Sequence, residues 1–147
     1  MPRLGLVPRL GYPIVVVLAL SACGGDTPAA PSPPPAAQVA GGWTGTLSST
    51  NFAVQAVTVT LSQTSGTVAG TWVSPQLGWT GNINGTVDAT SFTGTLTLNR
   101  PSGGCTGASG SFSGTAAAGS LRWTSAGFTG GNCAGPPVGI TLTLQRQ

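Results

Sequence analysis

From residue 41 onward, apolar and hydroxyl side chains alternate with a period of two. Val57, Val59 and Leu61 are interleaved with Thr58, Thr60 and Ser62; Phe92, Leu96 and Leu98 with Thr93, Thr95 and Thr97; Ile140, Leu142 and Leu144 with Thr141 and Thr143. Successive side chains of a strand point to opposite faces, so such a chain presents one apolar face and one wet face. A helix would scatter the same residues around its whole circumference. Thr suits the wet face, because its branched Cβ packs well on a pleated surface.

Eight strands are predicted, at about residues 42–49, 53–63, 67–74, 78–88, 91–98, 106–115, 120–125 and 138–145. The inward set includes Trp43 and Leu47 on the first, Val68 and Trp72 on the third, and Trp79, Ile83 and Val87 on the fourth. Phe112 follows on the sixth, Leu121 and Trp123 on the seventh, and Val138, Ile140, Leu142 and Leu144 on the eighth. Most links are short and rich in Gly, Ser, Asp and Pro, which favours antiparallel neighbours. Strands that follow one another in this way escape exposed edges by closing into a barrel. The expected fold is therefore all-β, an eight-stranded antiparallel up-and-down barrel over residues 41–147.

A tetrad of aromatic, hydroxyl, Gly and polar residues recurs at Trp43–Thr46, Trp79–Asn82, Phe92–Thr95 and Phe112–Thr115. Its aromatic points inward and its Gly shares that face two residues on. The missing side chain lets the strand bend and makes room for a neighbouring ring.

Charge narrows the function classes. The chain has five Arg, two Asp and no Lys, Glu or His. From residue 41 only Asp88, Arg100, Arg122 and Arg146 are charged. No basic cluster is present to neutralise phosphates, so nucleic-acid binding is not expected. Without His there is no Ser-His or Cys-His pair, and a single Asp in the domain provides no carboxylate dyad. Asp88 falls at a predicted turn, where Asp bonds its own backbone. Arg122 is expected in solvent on the wet face. An enzyme is not expected, and no cofactor is implied.

The N-terminus reads as an export signal. Arg3 and Arg9 precede a short apolar run, Ile14–Leu20, followed by the small residues Ser21 and Ala22. The run is well short of the ~20 residues a spanning helix needs. Leu20-Ser21-Ala22-Cys23 resembles the lipobox of bacterial lipoproteins. That resemblance implies cleavage before Cys23, a diacylglyceryl group on its sulfur and acylation of its freed amine. One acyl chain binds membranes only marginally, whereas two or three make a durable anchor. The implied partner is a lipid membrane and the implied location the cell envelope. Gly24, and not Asp, follows the cysteine, which favours the outer over the inner membrane in a cell with two. Residues 23–40 then form a lipidated Cys and a Pro/Ala-rich linker without packed structure, partly polyproline II. At ~3.1 Å per residue it spans up to roughly 50 Å.

Cys105 and Cys133 remain, and an even pair in an exported domain reads as a disulfide. It would brace the Gly- and Pro-rich connection 126–137, with roughly 3 kcal/mol of stabilisation in the chain-entropy model. No metal site is expected, because two thiols without His cannot complete a zinc shell.

Gly41-Gly42-Trp43 resembles the Gly-x-Trp start of the calycin barrels, the lipocalins and avidins. Gly66–Trp72 and Phe92–Thr95 are also similar to avidin segments. The avidin biotin-binding set does not map onto this chain residue by residue, so the resemblance implies the barrel and not biotin. Two functions fit this reading. In one, an envelope lipoprotein acts through protein contacts or as a structural module. In the other, Trp43, Trp72, Trp79 and Trp123 line an interior that takes a small neutral or apolar ligand; alternatively the same rings fill the core. A membrane-spanning barrel is not expected, since the chain lacks aromatic girdles and a terminal aromatic.

Overall fold

The computed structural model describes residues 30–147. Eight antiparallel strands follow one another round a closed barrel. They are β1 (Gly41–Ser49), β2 (Phe52–Thr64), β3 (Thr67–Ser74), β4 (Trp79–Val87), β5 (Ser91–Arg100), β6 (Cys105–Ala117), β7 (Ser120–Gly127) and β8 (Val138–Arg146). Pairing of β1 with β8, from Trp43 opposite Arg146 to Ser48 opposite Thr141, completes the ring. The alternation read from the sequence therefore supplies both the strands and their closure.

The inward residues form one continuous core in which Trp43, Leu47, Ile83, Phe92, Leu121, Trp123 and Leu144 are fully buried. On the outside, hydroxyl side chains meet across the strands. Thr67, Thr86, Thr93, Ser113, Thr124 and Thr141 are successive partners from β3 to β8. Arg122 lies exposed on this wall and turns away from the core.

The tetrad glycines sit where the sequence reading put them, each opposite a large inward side chain. Gly81 faces Trp72, Gly94 faces Phe112, and Gly114 lies between Phe92 and Trp123. A Cβ at Gly81 would collide with the Thr97 carbonyl and the Trp72 indole; one at Gly114 would collide with the Arg122 carbonyl and Trp123.

The connections divide into two ends. The β2–β3, β4–β5 and β6–β7 turns share one mouth with the start of β1 and the end of β8. Asp88 caps its turn there, its Oδ1 accepting from the N–H groups of Thr90 (3.3 Å) and Ser91 (2.9 Å). The opposite mouth carries two single-turn 3-10 segments, Pro75–Leu77 and Pro101–Gly103, ended by Gly78 and Gly104. Both glycines are left-handed, with φ of 62° and 64°, a conformation that costs a glycine little. The long 128–137 connection also lies at this second mouth.

Two details differ from the sequence reading. Val138, expected on the inward face of β8, is 46 % exposed. Gly139 adopts φ 58°, which breaks the alternation and turns Val138 outward. The packed structure also starts before residue 41. Val39 is fully buried, and Ala36 and Ala37 pack against the core.

Candidate functional site

The segment Ala36–Ala40, which composition alone assigns to the linker, is a strap across the first mouth. Its backbone is held at several points. Ala37 N–H donates to the Asp88 carbonyl (2.8 Å). The Gln63 side chain grips the strap from both sides: Oε1 accepts from Val39 N–H (2.7 Å) and Nε2 donates to the Ala37 carbonyl (3.0 Å). Trp43 Nε1 donates to the Val39 carbonyl (2.9 Å), which satisfies a buried indole. Arg146 then closes the arrangement from β8. Its guanidinium lies 4.6 Å from the Trp43 ring centroid and donates to the Gln38 (2.6 Å) and Ala40 (2.8 Å) carbonyls. A guanidinium can serve a ring face and two carbonyls together, because its plane and its fork of donors are separate features.

The second mouth is closed by the 128–137 connection. Cys105 and Cys133 are bonded, with Cα atoms 4.3 Å apart, as expected from the sequence. Thr129 and Ser109 exchange backbone hydrogen bonds of 2.8 and 2.9 Å, and the Asn132 side chain accepts from Thr106 N–H (2.6 Å). The loop thus covers the edge of β6 that extends past β7, the kind of open edge that otherwise recruits other strands. Phe128 is buried and stacks on Trp72, with ring centroids 6.3 Å apart.

Between these closures the four tryptophans are core residues with little free surface. Trp43 and Trp123 are 0 % exposed, Trp72 2 % and Trp79 7 %. Trp123 sits in a cluster with Phe92 and Phe112, each 5.4 Å away. Phe92 and Phe112 pack at 4.9 Å, edge to face. Such offset contacts add about 0.5–1.5 kcal/mol each beyond area burial. Trp72 Nε1 donates to the Thr97 carbonyl (2.9 Å). Trp79 packs edge-on against Phe52 (5.2 Å), with the Arg100 guanidinium 6.0 Å from its ring centroid. The indole nitrogens of Trp79 and Trp123 are buried without a partner among the described residues. The rings are therefore dispersed through the packed interior and do not converge on one site.

Cys23, the implied lipidation site, lies outside the described residues. Val39, Gln63, Phe128 and the pairing of Arg146 with Trp43 are not evident from the sequence. The only usable signals were a lone branched apolar residue in a Pro/Ala tract and a lone Arg closing the last strand. Among the described residues no three His, Cys, Asp or Glu side chains cluster. No family model, curated protein or solved structure matches the chain.

Proposed function

We propose that this protein is a lipid-anchored envelope protein, attached through Cys23, whose barrel acts by contact and not by catalysis. The observation that carries the reading is the closure of both mouths over a packed interior. Val39 seals one end and Phe128 the other. What remains for other molecules is the outside: rows of hydroxyl groups, the exposed guanidinium groups of Arg100, Arg122 and Arg146, and turns at either end. The one carboxylate side chain of the domain caps its own turn. The Pro/Ala tract ahead of the strap is a spacer that sets the barrel off from the bilayer. Gly24 after Cys23 favours the outer membrane of a diderm cell.

Fractionation with metabolic palmitate labelling tests the anchor. The native chain should take up label and follow the membranes, and the Cys23→Ala protein should do neither. An unlabelled native chain in the soluble fraction would reject the anchor. Crosslinking in intact cells tests action by contact: the lipidated protein should give a discrete adduct that depends on the outer wall.

One observation favours a second reading, a small neutral or apolar ligand inside the barrel. The unpartnered Trp79 and Trp123 indoles cost about 1–3 kcal/mol each, and an acceptor brought by a ligand would remove that cost. Entry requires displacing Val39 or Phe128. A panel of neutral ligands that leaves Trp fluorescence unchanged would dismiss this reading.

A further inference from the structure

A groove of about 550 Å³ opens at the strap mouth, outside the barrel. The strap forms one wall through Ala37 and Gln38, and the β4–β5 turn contributes Ala89 and Thr90. Opposite lie Ala116, Ala117 and Ala118 of β6 and its turn, with Arg146 at the edge. The volume is in the range of small-molecule sites, which are typically ~300–1,000 Å³, mostly apolar and supplied with a few convergent polar groups.

The polar group here is specific. Arg146 donates to the Gln38 and Ala40 carbonyls, and a guanidinium carries five N–H donors, so it retains donors for a ligand. The nearby Asp88 has Oδ1 engaged by its own turn. Alanine methyls on three sides suit an apolar body, and one cation with free donors suits one carboxylate. A phosphate would call for more donors than this rim supplies.

We propose that the groove binds a small apolar monocarboxylate, its body against the alanine walls and its carboxylate on Arg146. The wall made by Ala37 and Gln38 exists only when the strap is docked. Ligand binding and strap docking therefore stabilise each other. The proposal does not depend on the anchor at Cys23, so it is tested on the Cys23→Ala protein.

Alanine-methyl NMR during titration with phenylacetate is the direct experiment, with phenylacetamide as the uncharged isostere and acetate as the head group alone. Phenylacetate should shift the methyls of Ala89, Ala117 and Ala118 saturably, and both controls should bind about tenfold more weakly. Ala118 is exposed in a turn, so Ala118→Glu should leave the fold intact and weaken phenylacetate about tenfold through like-charge repulsion. Arg146→Gln should give a comparable loss; because Arg146 also holds the strap, Ala118→Glu is the deciding variant. The proposal is overturned if no saturable shift occurs, if the amide binds as well as the carboxylate, if Ala118→Glu changes nothing, or if the shifts fall at the other mouth.

Discussion

The guanidinium of Arg146 covers the face of Trp43 at 4.6 Å, while the edge of the same indole donates to the Val39 carbonyl at 2.9 Å. One tryptophan on β1 thereby joins the last strand of the barrel to the segment ahead of the first. Removing the cation should loosen both connections. Arg146→Ala is expected to cost about 1–2 kcal/mol in chemical denaturation, from the lost cation–π contact and two hydrogen bonds. Arg146→Lys should recover only part of this, since an ammonium lacks the planar fork. Hydrogen exchange at the Val39 amide should accelerate in both variants.

Val39 itself has the packing role of a core residue despite its Pro/Ala surroundings. Val39→Ala removes two buried methyl groups and should cost about 1.6 kcal/mol. The same change at Val54, which is 63 % exposed, should stay within about 0.5 kcal/mol. Equal effects in thermal or chemical melts would mean that the strap is not docked in solution.

The cross-strand glycines offer a second contrast. Gly114→Ala sets a methyl against the Arg122 carbonyl and Trp123, so it should destabilise by about 2–3 kcal/mol. Gly119 has open space around its Cβ position, and Gly119→Ala should be close to neutral, within about 0.5 kcal/mol. The two melting curves decide the matter directly.

The brace at the second mouth should be worth roughly 3 kcal/mol. Reduction, or the Cys105→Ala/Cys133→Ala double variant, should lower stability by about that amount. It should also release amide protection at Ser109 and Thr129, whose pairing depends on where the loop is held. The strap mouth should keep its protection, because nothing in its hydrogen-bonding involves that loop.

The barrel was legible in the sequence because each strand records its burial in alternate residues. Val57, Val59 and Leu61 against Thr58 and Thr60 leave little choice of face. The turn role of Asp88 was legible for a similar reason, as its bonding is local. The closures were not, because they depend on residues far apart in the chain. Gln63 reaches Val39 across 24 positions, and Arg146 reaches Gln38 across 108. Composition marks neither partner. Alternation puts Val138 on the inward face only in an unbroken strand, and Gly139 breaks β8 beside it. The groove was invisible for another reason: its walls are alanines, which carry no distinctive chemical signal, and only the docked strap brings them together.

The strap also decides how the domain would bear a load. A pull on the chain ahead of Ala36 meets Asp88 on the β4–β5 turn, Gln63 on β2 and Arg146 on β8 before it reaches the first residue of β1. The tension is shared among separate staves of the barrel and is not delivered to a single strand end, where bonds would unzip one at a time. The strap works as a strain relief, of the kind fitted where a cable enters a housing.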